Sequence, residues 1–363
     1  MKQWLETRLV LDELAVLRSR GARAALATVI RVNGSAYRHE GAKLLVSEDA
    51  SSVGNVSGGC LEADVREVAL RVIATGCAEQ RSYCGGSDEI SAWDLGVGCD
   101  GEVEILIEPA STTRDDERAA IADEVPFIAV TWLDAPSVDG ELPRAVVAAG
   151  ALHGTLGDQP LDAAVLAEAE RWTALAESHL QTINGCRLFV DVMMPPPRLV
   201  VVSAGEDARV LARTASEVGF RVVAVDRRPG LLTRDRFPVA VRLVESDAAR
   251  INEQLVLDSS SFAVVMTHDF ADDAAYLAAL LQTPVRYIGM LGPRQRTERI
   301  ITRLGIIAPA DLARIYGPVG LEIGTDGAEQ VALAVLAEIL AVKSGRQPLS
   351  LRERRAPIHS TRD

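Results

Sequence analysis

Arg198–Asp226, RLVVVSAGEDARVLARTASEVGFRVVAVD, decides the fold. It reads as an apolar strand (Arg198–Val202), a glycine-containing turn, a helix (Asp207–Val218) and a second apolar strand (Arg221–Asp226) ending on an acid. Short, continuous apolar strands alternating with helices indicate a parallel sheet covered on both faces. Gly205 precedes Asp226 by 21 residues, close to the spacing between phosphate loop and ribose acid in dinucleotide-binding folds. A helix starting at such a turn directs free N–H groups and a positive dipole end at a phosphate. The acid accepts hydrogen bonds from a sugar or another polyol.

The match to G-x-G-x-x-G/A runs through Ser203, Gly205 and Ala208. Ser203 stands where a glycine usually makes the tight turn, and Glu206 puts a carboxylate where a phosphate would come. Both weaken the case for ordinary NAD binding. The alternative is a parallel-sheet domain with no nucleotide.

Downstream, Phe262–Met266 and Val285–Ile288 extend the strand pattern, with helices expected at Ala271–Leu281, Arg294–Leu304 and Asp326–Lys343. This predicts a C-terminal Rossmann-like, doubly wound sheet over residues 195–343. Such folds bind ligands at the carboxyl ends of strands. Two stretches fall there. Thr267-His268-Asp269 offers His268 as an acid/base group. Gly289-Met290-Leu291-Gly292-Pro293-Arg294-Gln295-Arg296 offers Gly289, Gly292 and Arg294 to an anion. The competing assignments are a structural histidine and a solvated helix face.

Upstream, Pro195-Pro196-Pro197 marks a domain boundary, because three prolines fit neither a helix nor a central strand. Residues 1–110 read as an α/β domain: an amphipathic helix ending near Gly21, strands at Ala24–Val32, Gly41–Ser47, Glu79–Tyr83 and Glu102–Glu108, and a helix over Leu61–Thr75 closed by Gly76. Residues 111–194 suggest strands at Val125–Trp132, Ala145–Leu152 and Arg187–Met193 and a helix over Leu161–Leu180. This middle segment either extends the first domain or forms a separate layer. Residues 344–363 read as a mobile basic tail. No internal repeat is apparent.

The chain has 363 residues, 51 acids against 38 Lys and Arg, and a net charge of −13. That balance argues against a general nucleic-acid or anionic-membrane binder. No apolar run is long enough to span a bilayer. Five cysteines without a CxxC pair, and an N-terminus unlike an export signal, predict reduced thiols in a cytoplasm. A homo-oligomer is compatible with the sequence.

Two of those cysteines sit in glycine-rich loops. Ser57-Gly58-Gly59-Cys60-Leu61-Glu62 places Cys60 at a helix start, where the dipole favours a thiolate and Gly58 and Gly59 let backbone amides approach a ligand. Gly96-Val97-Gly98-Cys99-Asp100-Gly101 gives a second thiol, Cys99, beside Gly98. A lone cysteine is more often a small buried hydrophobe, but two in such loops are harder to read that way. The spacing fits no common zinc pattern, so no metal is expected. Cys84 is a weaker candidate, and Cys77 and Cys186 are taken as structural. Gly34-Ser35-Ala36-Tyr37-Arg38 offers a hydroxyl (Ser35), an aromatic face (Tyr37) and a guanidinium (Arg38), suited to a planar ring with a phosphate. An ordinary hairpin turn is the equal alternative.

Together, GSAYRHEGAKLLV, SGGCLEADV, GVGCDGEVEILIEP, SAGEDA with VDRRP, VMTHDFADD, YIGMLGPRQR and GPVGLEIGTDGAEQVALAVLAEILA resemble the xanthine dehydrogenase accessory factors, the XdhC/CoxI family. The sequence departs from the family at Ser203 and at Asp100. The resemblance implies a protein that binds molybdenum cofactor, supports its sulfuration with a cysteine desulfurase, and delivers it to an apo molybdenum hydroxylase of the xanthine or carbon monoxide dehydrogenase type. It implies an accessory factor rather than a catalyst. In that role Cys60, then Cys99, would hold the cofactor's sulfur-rich end or carry sulfur. The alternatives are an NAD(P)-dependent oxidoreductase using His268 and Asp226, and a scaffold whose Rossmann domain is empty.

Overall fold

The computed structural model describes residues 2–34, 36–84, 102–110, 114–137, 140–237 and 241–353. The chain divides at the proline run into two units, Lys2–Pro195 and Pro196–Glu353.

The first unit holds two five-stranded antiparallel sheets. Helix α1 (Lys2–Ser19) leads into β1 (Ala24–Asn33), β2 (Lys43–Ser47), β3 (Ser52–Gly54), α2 (Glu62–Thr75), β4 (Glu79–Cys84) and β5 (Glu102–Pro109). Helix α3 (Asp115–Ala122) leads into β6 (Phe127–Trp132), β7 (Arg144–Ala148), β8 (Ala151–Thr155), α4 (Gln159–Leu175), β9 (His179–Ile183) and β10 (Cys186–Met193). The strand orders are β3-β2-β1-β5-β4 and β8-β7-β6-β10-β9. These are the same order in two successive copies of one α-β-β-β-α-β-β unit. The expectation of no repeat is therefore corrected at the level of structure. The middle segment supplies the second copy.

Strand β1 shows why its run is apolar throughout. Ala25, Ala27 and Val29 pack under α2, while Leu26 and Ile30 face the second sheet's layer. A strand covered on both faces loses the alternation of a half-exposed one. Helix α4 covers the outer face of the second sheet with Leu161, Val165, Ala169 and Trp172. The expected strand Ala145–Leu152 is instead the hairpin β7–β8. Ala149 and Gly150 both adopt positive φ, +49° and +77°, as a tight two-residue hairpin turn requires. The helix expected to reach Leu180 stops at Leu175, and its end becomes β9.

The second unit is an all-parallel six-stranded sheet, β11 (Arg198–Val202), β12 (Arg221–Asp226), β13 (Arg242–Glu245), β14 (Phe262–Val265), β15 (Tyr287–Met290) and β16 (Ile315–Tyr316), in order β13-β12-β11-β14-β15-β16. That is the Rossmann order, with its switch point between β11 and β14. Helices α5 (Glu206–Glu217) and α10 (Ala328–Ser344) cover one face. Short α6 (Ile251–Gln254), with α7 (Phe270–Leu281) and α8 (Arg294–Leu304), covers the other. A single turn, α9 (Pro309–Leu312), precedes β16. Strands β13 and β16 were missed in the sequence because each is short and partly exposed.

Candidate functional site

Each unit carries a candidate site. In the first, the ends of β1 and β4 and the start of β5 lie together at one end of the first sheet. Asn33, the end of β1, pairs with Glu102, and Cys84 pairs with Glu102 from the other side. Tyr83 on β4 donates its hydroxyl to Asp64 Oδ2 at 2.5 Å, tying that end to the start of α2. The loop between β1 and β2 and the loop before α2 meet there as well. Gly58 (φ +89°) packs so closely on Tyr37 that a methyl at Gly58 would lie 2.6 Å from the ring's Cδ1. Tyr37 and Cys60 are exposed. The structure thus brings Tyr37, Gly58, Gly59 and Cys60 together. Ser35, Gly98 and Cys99 lie outside the described residues.

The amides of the glycine loop are already engaged. The Glu62 carboxylate accepts from Val56 N (3.2 Å), Ser57 N (2.9 Å), Gly58 N (3.2 Å) and Gly59 N (2.8 Å), and from the Ser57 hydroxyl. Burial by itself would raise the Glu62 pKa, but the Ser57 hydroxyl and amide outweigh it and hold the carboxyl below its usual range. Glu62 was not singled out in the sequence. The available signal was an acid in the first turn of a helix that follows Gly-Gly. Arg38 is also engaged: it forms a two-point ion pair with Glu6 of α1, and its side chain is 10% exposed. Cys77 is exposed rather than packed away, and Cys186 is half-buried.

In the second unit, a cleft of about 260 Å³ opens at the switch point, lined by Ser203, Asp226, Arg227, Arg228, Thr267, His268, Asp269, Asp272 and Tyr276, with Val225 at its floor. Here the structure joins Ser203, Asp226 and His268. Asp226 has both oxygens occupied: Oδ1 by the Arg228 amide and Nε, each at 2.9 Å, and Oδ2 by Arg228 Nη2 (2.8 Å) and Ala204 N (2.7 Å). Burial pushes the Asp226 pKa up, but Arg228 and the two amides bring it below the ordinary aspartate value. The start of α5 carries its own anions. Glu206 is clasped by Arg209 and Arg236, each at 2.8 Å, and Asp207 lies 3.6 Å from His268 Nε2. Ser203 adopts φ +157° and accepts the Gly205 amide on its hydroxyl at 3.0 Å. The first-glycine position therefore keeps its unusual backbone without a glycine.

The arginines after β15 divide. Arg296 binds Asp273 Oδ2 (3.0 and 2.6 Å), while Thr267 donates to Asp273 Oδ1 from its hydroxyl at 2.6 Å. This buried aspartate anchors the His268 loop to α8. Arg294 is exposed at the start of α8. Gly289 leaves no room for a side chain, because a Cβ would lie 2.5 Å from Val319 Cγ2. Gly292 has φ +125°. Among the described residues, no cluster of three or more His, Cys, Asp or Glu could hold a metal ion, and no helix is long and apolar enough to cross a membrane.

A family model described as the XdhC Rossmann domain matches residues 199–339, and the XdhC and CoxI family model matches residues 17–83. A probable xanthine dehydrogenase subunit of Bacillus subtilis (strain 168) is 30% identical over 331 residues, 88% of this chain and 93% of that protein. This chain belongs to the XdhC and CoxI family. A crystal structure from Bacillus halodurans, described as a xanthine dehydrogenase, has the same fold with a TM-score of 0.75 and 29% identity, covering 94% of this chain and 97% of that one. "Molybdenum cofactor insertion chaperone PaoD" of Escherichia coli (strain K12) is 24% identical over 89% of this chain and 84% of its own length. The XdhC and CoxI match falls within the copy that holds Tyr37 and Cys60. The second copy lies between the two matched regions.

Proposed function

We propose that this chain is a molybdenum cofactor maturation factor that binds the cofactor as cargo, supports its sulfuration and delivers it to an apo molybdenum hydroxylase of the xanthine or carbon monoxide dehydrogenase type. The observation that carries the reading is Cys60, an exposed thiol on a hydrogen-bonded glycine loop beside the exposed ring of Tyr37. A thiol so placed meets a large ligand without a buried approach. The planar pterin stacks on an aromatic ring, and the sulfur-rich end lies within the chemistry of a cysteine. Likeness to the E. coli insertion chaperone supports a carrier rather than an oxidoreductase. A cysteine desulfurase is the proposed sulfur source, its sulfane sulfur held on Cys60 as a persulfide. Cys99 is the second thiol in the proposal, and Arg294 is the exposed cation offered to an anionic group.

A second reading, an NAD(P)-dependent oxidoreductase, draws support from the Rossmann strand order and from Arg227 and Arg228 beside Asp226. Against it, Asp226 has no free oxygen for a ribose while Arg228 stays in place. Anaerobic titration with molybdenum cofactor and with NADPH separates the two. Saturable cofactor binding without NADPH binding supports the maturation role. NADPH binding without cofactor binding overturns it.

A further inference from the structure

We propose that Glu62 is a positioning residue for Cys60, holding the thiol-bearing loop in the form that receives the cofactor. The inference rests on the reading of Cys60 given above. Four consecutive amides, Val56 to Gly59, turn toward one carboxylate. Successive amides arranged in this way form a concave anion site, and here the chain supplies the anion itself. Gly58 and Gly59 adopt φ +89° and +121°, conformations a free loop would leave readily. The residue after them is Cys60. The carboxylate therefore sets the direction in which the Cys60 side chain leaves the loop.

The duplicated architecture gives an internal comparison. In the second copy the connection from β8 to α4 is also held by a carboxylate: Asp162 accepts from Leu156 N at 2.8 Å and from the Thr155 hydroxyl at 2.5 Å. That connection is short and binds through one amide. Its counterpart before α2 is longer, contains Gly-Gly-Cys and engages four. The fold uses one device in both copies, and the copy with the exposed thiol has the extended version.

The test uses full-length protein. Amide hydrogen exchange of the 56–60 segment and retention of molybdenum cofactor are measured for wild type, Glu62→Ala, Glu62→Gln and Asp162→Ala. Glu62→Ala should speed exchange at Ser57 and Gly59 about tenfold or more, the scale of a lost charge-assisted hydrogen bond, with Gly58 N still held by Asn55 Oδ1 at 2.8 Å, and should reduce cofactor retention. Added acetate, but not acetamide, should restore both by refilling the nest. Asp162→Ala should change neither. If Glu62→Ala does not fold, Glu62→Gln is read instead; it keeps the side-chain volume and one acceptor. Exchange within about twofold of wild type, or wild-type retention despite faster exchange, overturns the proposal. Cys60→Ala in the same assay separates the failures. Loss of retention there leaves the Cys60 reading standing and rejects only Glu62's part. No loss there, with sulfuration also unimpaired, rejects the Cys60 reading itself.

Discussion

Lys43 Nζ lies 2.5 Å from Asp191 Oδ2, and each side chain is 1% exposed. Lys43 is on β2 of the first sheet and Asp191 on β10 of the second, so this buried ion pair joins the two copies. Ser178 and the Gly41 carbonyl complete it, at 2.9 Å to Asp191 Oδ1 and 3.0 Å to Lys43 Nζ. Removing one partner leaves the other charge buried without compensation. Asp191→Ala should cost about 3–5 kcal/mol, whereas the double change Lys43→Met with Asp191→Leu should cost much less. Urea unfolding of the three proteins checks this. A single variant within about 1 kcal/mol of wild type would contradict it.

Arg294 and Arg296 should behave differently although they are two residues apart. Arg296→Ala strands the buried Asp273 carboxylate and should cost about 3 kcal/mol or more. Arg294→Ala should change stability by no more than about 0.5 kcal/mol, as for an exposed surface residue. Thermal unfolding of both variants decides it, and equal losses would be the contrary result.

Much of the fold was legible because burial on both faces leaves continuous apolar runs. In β11, for instance, Val200 and Val201 pack on opposite helix layers. The duplication was not legible. The copies share strand order but differ where sequence is most distinctive: the second copy turns between β9 and β10 at Asn184-Gly185, and the first places residues 85–101 at the corresponding point. Tyr37 and the Gly58–Cys60 loop were read as separate candidate features; their meeting, with Gly58 packed on the Tyr37 ring, is visible only in the fold. Arg38 was read as a ligand contact from its residue type in a turn, and Asp226 from its spacing to Gly205 and its place at a strand end. Their partners, Glu6 and Arg228, come from pairings that no local pattern announces. Glu62 escaped notice because its role depends on how the preceding loop folds back on it.

Acid should weaken the fold in a defined direction. Glu62, Glu117 and Asp226 all have folded-state pKa values lowered below 4.5, 4.5 and 3.8 respectively: burial opposes the charge in each, but hydrogen bonds or arginines prevail. The folded protein therefore binds fewer protons than the unfolded chain as pH falls through this range. Their contribution is present above about pH 4.5 and is lost below it. Urea midpoints measured from about pH 7 down to about pH 3 should fall steeply at the acid end. A midpoint that stays level or rises there would contradict the assignment.

The most direct test of the Cys60 role is retention of molybdenum cofactor by Cys60→Ala under anaerobic conditions, with folding verified by circular dichroism. The expected result is a folded protein that releases the cofactor faster than wild type or fails to support its sulfuration. A folded variant that matches wild type in both would contradict it.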